Sequence, residues 1–237
     1  MRFAALIFLF LSISVARADF YPSLNPMSLA SITQAQINAL FYTSALQTDF
    51  RAYMPASALP LVIGIDVGLE VTAVPLLPDF QAAINTATGQ ANVPTLIPVP
   101  RIILHKGLVF GLEVGGSWVA FQGLTLWGID LKWAFLNTHA TRPSVACRAS
   151  AEFNNFGFVK SNTYTIDALV SKAFFLIEPY LGAGLEIWNA SLVLPSNIPA
   201  VPSNLSTTGS GFSPRFYAGI PLKILFIDIT AEYDYST

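Results

Sequence analysis

Residues 62–74 read Val-Ile-Gly-Ile-Asp-Val-Gly-Leu-Glu-Val-Thr-Ala-Val. Ile63, Ile65, Val67, Leu69, Val71 and Ala73 form one apolar set, and Gly64, Asp66, Gly68, Glu70 and Thr72 alternate with them. In a strand successive side chains point to opposite faces, so one face is hydrocarbon and the other carries glycine and carboxylates. The same two-faced pattern recurs down the chain. Over 124–136, Trp127, Ile129, Leu131, Trp133 and Phe135 oppose Gly128, Asp130, Lys132 and Ala134. Over 144–154, Val145, Cys147, Ala149, Ala151 and Phe153 oppose Arg148, Ser150, Glu152 and Asn154. Over 223–235, Leu225, Ile227, Ile229, Ala231, Tyr233 and Tyr235 oppose Asp228, Thr230, Glu232 and Asp234. So many apolar faces have no soluble core to share, and lipid is the solvent that would cover them.

Composition agrees. Only 11 % of residues are charged and mean hydropathy is +0.56, yet after residue 18 there is no run of about 18 apolar residues that would make a spanning helix. The apolar residues are therefore stored in alternating strands. At the N-terminus, Arg2 precedes an apolar stretch from Phe3 to Val15, and Ala16-Arg17-Ala18 matches a small-x-small cleavage site before Asp19. These features predict a cleaved export signal over 1–18. No cysteine follows the cleavage site, which argues against a lipid-anchored N-terminus. Cys147 is the only cysteine, which excludes an internal disulfide. Without Arg2 and Arg17, ten basic residues face 14 acidic ones, a net charge of −4. Nucleic acid, which requires a basic face, is not an expected partner.

Residues 19–60 form a distinct N-terminal segment. Tyr21-Pro22 and Asn25-Pro26 read as loop, and Ser28 is a candidate cap for a short helix to about Leu46. That segment would be a lumen plug, a periplasmic cap or part of a first strand. Residues 61–237 then hold nine strands, at 62–74, 97–105, 108–121, 124–136, 144–154, 162–174, 178–191, 212–220 and 223–235. Long connections at 75–96 and 192–211 fall on one side, and the tight ones at 106–107, 175–177 and 221–222 on the other. This matches barrels with short periplasmic turns and longer external loops. Nine is odd, and single-chain bacterial barrels have even strand numbers. Either 45–57 supplies another strand, or a final strand is missing because the sequence is a fragment, and the second is the expectation. The expected fold class is all-β: an antiparallel transmembrane β-barrel of about 8–10 strands with a short N-terminal helix.

The polar faces carry Asp66, Glu70, Glu113, Asp130, Glu152, Asp167, Glu186, Asp228, Glu232 and Asp234, against Lys132, Arg148 and Arg215. A charge on the lipid side near the midplane costs roughly 2–4 kcal/mol, so these residues are expected to face the lumen. They would form either a packed ionic interior or an acidic water path. Trp118, Trp127, Trp133, Tyr164, Phe216, Tyr233 and Tyr235 fall on the apolar faces, several near strand ends, where aromatic girdles sit at membrane interfaces. Trp188 falls on the polar face. For catalysis the chain has little: His105 would reach Glu113 if a hairpin turned at Lys106-Gly107, with Ser117 further along, but structural turn residues are the plainer account. We expect no enzyme activity unless that Ser, His and carboxylate set modifies lipid, no cofactor and no metal, since His and Cys do not cluster.

Pro55-Ala56-Ser57 leading into Gly64-Ile65-Asp66-Val67-Gly68-Leu69-Glu70 resembles the opening of an uncharacterised family of small bacterial outer-membrane β-barrels. Arg101 to Gly107 followed by Phe110-Gly111-Leu112-Glu113-Val114-Gly115, and Pro179-Tyr180-Leu181-Gly182-Ala183-Gly184, are similar to it too. The resemblance spans about residues 50–235 and implies a fold, a Gram-negative outer membrane, the bilayer and the barrel-assembly machinery as partners, and no assigned activity. Three functions follow as expectations. The first is a porin-like narrow pore or passive carrier for a small solute. The second is a non-conducting structural or adhesive surface barrel, acting through loops 75–96 and 192–211. The third is a soluble periplasmic lipocalin-like binder. The sequence leaves the solute and the oligomeric state open.

Overall fold

The computed structural model describes residues 32–49, 51–61, 64–88, 94–121, 124–137, 142–157, 159–193, 206–224 and 227–236. The segment read as an export signal, and Ser28 as a helix cap, lie outside them. The elements in chain order are α1 (Gln34–Tyr42), a π turn (Thr43–Gln47), β1 (Ile65–Pro75), α2 (Pro78–Thr88), β2 (Leu96–Gly107), β3 (Leu112–Phe121) and β4 (Leu124–Leu136). After them come β5 (Ser144–Asn155), β6 (Val159–Ser171), β7 (Tyr180–Leu192), β8 (Thr208–Ile224) and β9 (Ile227–Ser236).

All nine strands belong to one antiparallel sheet in sequence order, each paired with the next, and the sheet curls into a half-barrel. Such a meander needs only local connections, which period-two strands joined by turns supply. Among the described residues, β1 and β9 each have one paired edge and are not paired with each other. The N-terminal segment bridges that interval. Arg51 Nε lies 3.3 Å from Asp234 of β9, and the Tyr53 hydroxyl lies 3.2 Å from the Thr72 hydroxyl of β1.

Burial is inverted relative to a soluble sheet. Ile65, Val67, Leu69 and Val71 of β1 are exposed, while Glu70 and Thr72 are buried. The same holds for β4, where Trp127, Ile129, Leu131 and Trp133 face out and Asp130 and Lys132 are buried. The convex side is therefore the apolar one, and the concave side holds the charges.

Several boundaries differ from the sequence reading. The β2–β3 turn lies at 108–111 rather than at Lys106-Gly107, and Phe110 sits at its apex with φ +59°. An aromatic residue in left-handed backbone carries no turn signature, so apolar Leu108-Val109-Phe110 read as strand. β8 begins at Thr208, because Thr208-Gly209-Ser210-Gly211 pair with Trp188 to Ser191 despite a loop-like composition. The long connection 76–95 contains α2, signalled by Pro78 and Asp79 at its start. Phe80, Ala83 and Ile84 of α2 pack with Ile37, Leu40 and Phe41 of α1 and with Val159 and Ala190 of the sheet. A small apolar core thus closes the long-loop end. α1 starts later than the expected helix, at a capping box in which the Thr33 hydroxyl accepts from Gln36 N–H and the Gln36 side chain accepts from Thr33 N–H.

Candidate interior site

The concave side is filled by the chain's own N-terminal segment, which runs from α1 past residue 60. Its backbone supplies most of its contacts. Ser161 and Asn154 donate to Ser44 O at 2.6 and 3.0 Å, Thr163 donates to Ala45 O at 2.7 Å, and Arg101 donates to Thr48 O at 2.7 Å. Lys132 donates to Pro55 O at 2.8 Å and Ser57 O at 3.0 Å. In the other direction, Ala56 N–H donates to Ser171 Oγ at 3.1 Å and Leu59 N–H to Glu113 Oε1 at 2.6 Å. At the end of the π turn and beyond it, the segment takes its hydrogen-bonding partners from the interior side chains, which is how buried backbone is satisfied. Of the three readings of this segment, the interior plug is the one that describes it.

The charges divide into connected groups. Arg215, 1 % exposed, lies 3.1 Å from Asp49 of the plug, 2.6 Å from Asp234 and 3.8 Å from Glu186. Its guanidinium also stands 5.0 Å from the Tyr217 ring centre. Arg148 holds Asp167 at 3.2 Å, and Tyr217 donates to the second oxygen of that carboxylate at 2.7 Å. Arg101 pairs with Glu152 at 3.1 Å, and Lys132 with Glu113 at 3.1 Å. Tyr180 donates to Glu232. Buried charges persist when paired and hydrogen-bonded, and their geometry selects one arrangement of the plug.

Glu70, Glu113, Asp130, Lys132, Arg148, Glu152, Asp167, Glu186 and Arg215 are buried on the concave side. Glu232 and Asp234 are half-buried there, Asp66 is half-buried, and Asp228 is exposed at the short-turn end. Trp118, Trp127, Trp133, Tyr164, Tyr233 and Tyr235 are exposed on the convex side. Trp188 is half-buried against the α1–α2 core, the tertiary reason an indole sits on the polar face.

The sequence reading of His105 changes. His105 sits opposite Gly115 in the ladder, and its Nε2 lies 3.1 Å from Asp130. Glu113 is taken instead by Lys132 and Leu59 N–H. Gly115 leaves the space: a Cβ there would lie 2.0 Å from the His105 ring and 2.1 Å from the Asp130 carboxylate. Asp49, Arg51, Arg101 and Glu178 are the interior residues that sequence reasoning missed. The first two lie in the segment with no periodicity, and Arg101 lies between the two prolines Pro98 and Pro100 and the tight turn, in the weakest strand pattern. At the short-turn end, burial alone would raise the Glu178 carboxyl. Hydrogen bonds from Lys223, Ser57 and Ser171 outweigh it and hold the group below the usual glutamate value. Lys223 Nζ approaches Glu178 to 2.6 Å.

No protein-family model, no curated protein and no solved structure matches this chain. Among the described residues no helix is long and apolar enough to cross a membrane, a statement that leaves strands untouched. No described group of His, Cys, Asp and Glu forms a metal site.

Proposed function

We propose that the chain is a bacterial outer-membrane β-barrel protein whose interior is closed by residues 32–60. The single observation that carries this reading is the inverted burial: hydrocarbon on the convex side, ion pairs on the concave side. Leaving Ile65, Val67, Leu69 and Val71 in water would forfeit about 25 cal/mol per Å² of apolar surface, repeated over nine strands. Lipid removes that cost, whereas a soluble binder of lipocalin type would need the two faces exchanged. In hydrocarbon every unpaired backbone group costs several kcal/mol, so the β1 and β9 edges must be paired in the membrane.

Within this reading the barrel is closed at rest. The plug takes hydrogen bonds from β2, β4, β5 and β6, and Arg101, Lys132, Arg148 and Arg215 are each paired with an interior carboxylate. A small solute passes only when 32–60 shifts. The refolded protein should require detergent for extraction and migrate in a heat-modifiable way on a gel; a freely soluble monomer refutes the membrane assignment. In planar bilayers the wild-type protein should be silent at neutral pH and low voltage, and Arg101→Met should produce transient ion steps. Steady wild-type conductance would overturn the closed state. Silence in both proteins would favour the structural or adhesive surface barrel, with loops 76–95 and 193–207 as its contact elements.

A further inference from the structure

On the convex face of β6 to β9 a trough of about 660 Å³ opens next to the short-turn end. Its cross-strand row is Val170, Leu181, Ala218 and Tyr233, in register across all four strands. Ala231, opposite Ile220 on the neighbouring pair, lies diagonally from Ala218. Two alanines thus form a floor among four larger side chains, and three inter-strand steps make it roughly 14 Å wide. Nearly all its surface is apolar.

The end of this trough carries positive charge. Lys172 and Pro143 both line it. Ser144 pairs with Ser171, which brings Arg142-Pro143 alongside Lys172-Ala173 at the rim. Lys172 continues the outward row Ile166, Ala168, Val170, and its N–H extends the ladder to Pro179 O at 3.1 Å. Among the described residues, the bases outside the interior are Lys106, Arg142, Lys172 and Lys223 at this end and Lys160 at the other. An apolar trough with Lys172 on its lining and the exposed Arg142 next to Pro143 at its rim has the layout of a lipid, chain first and headgroup last.

We propose that this trough is a site for one glycerophospholipid with a net anionic headgroup, its acyl chain over Ala218 and Ala231 and its phosphate at Lys172 and Arg142. The inference rests on the membrane reading above. An adjacent lipid of neutral headgroup would fill the same trough without using the two bases, so headgroup charge is the discriminating variable.

The test is native mass spectrometry of the refolded, detergent-held full chain titrated with phosphatidylglycerol or phosphatidylcholine of identical chains. The wild-type protein should bind the first lipid at least ten-fold more tightly. Lys172→Gln with Arg142→Gln should abolish the preference, Lys106→Gln should retain it, and Ala218→Phe should weaken both lipids by filling the floor. Heat-modifiable migration verifies that each variant is folded. Equal binding of the two lipids, or a preference that survives the double substitution, overturns the site while leaving a detergent-requiring barrel intact. A protein that is monodisperse in water without detergent overturns the membrane reading and this site with it.

Discussion

Replacing Lys132 by Met is the sharpest probe of how the plug is held. Lys132 is 2 % exposed and its ammonium meets Glu113 at 3.1 Å, Pro55 O at 2.8 Å and Ser57 O at 3.0 Å. Lys132→Met keeps the side-chain length but leaves the Glu113 carboxylate buried, accepting from the Leu59 N–H without its ammonium partner. Removing one partner of a buried pair costs about 3–5 kcal/mol, because the other charge stays desolvated. Adding Glu113→Gln removes that charge, and the double variant should recover roughly half the loss. Because Glu113→Gln alone also strands the buried Lys132 ammonium, the two sites should be coupled by at least about 2 kcal/mol in a double-mutant cycle. Urea unfolding in lipid vesicles, followed by loss of heat-modifiable migration, measures all four proteins. A Lys132→Met variant within 1 kcal/mol of wild type, or a double variant equal to the sum of the singles, would refute the account of plug and network as one unit.

The faces themselves are tested by neighbours of opposite orientation: Ile129→Arg, half exposed on the convex side, should hinder membrane assembly by about 2–4 kcal/mol, far more than Asp130→Asn. Equal effects in an assembly assay would mean the sides are wrongly assigned. Gly115→Ala should cost about 1–3 kcal/mol by overpacking, since its Cβ displaces His105 from Asp130, and loss of any shift in the His105 ring resonances would refute that contact. Glu178 has a depressed carboxyl pKa, so its contribution to stability is fully present above the unfolded value of about 4.3 and is lost as pH falls through the folded value. The protection factors of the Lys223 and Glu178 amides, whose N–H groups bind Leu176 O and Pro221 O, should fall with acidification in that range and lose this pH dependence in Glu178→Gln. An unchanged pH profile in the variant would assign the effect to another group.

The alternation in 62–74 and its companions was enough to give an all-β, antiparallel meander of nine strands, and the parity of long and short connections gave its two ends. These features are local: a side-chain period of two and a turn every ten or so residues are written in neighbouring positions. Where local chemistry misleads, the boundaries moved. Phe110 occupies a turn conformation that composition does not announce, and Thr208 to Gly211 look like a loop but pair because Trp188 to Ser191 stand opposite.

Which face is charged could be read from any one strand. Which charge meets which could not, because partners such as Arg148 and Asp167 are set by the register of separate strands, and Asp49 reaches Arg215 across 166 positions of sequence. The fate of residues 32–60 belongs wholly to the tertiary structure. Beyond α1 that segment has no period, and apart from Asp49 and Arg51 its hold on the sheet comes from backbone carbonyls at Ser44, Ala45, Thr48, Pro55 and Ser57, groups every residue possesses. Only the curled sheet, by aiming Arg101, Lys132, Ser161 and Thr163 at one line through its interior, makes those carbonyls a plug.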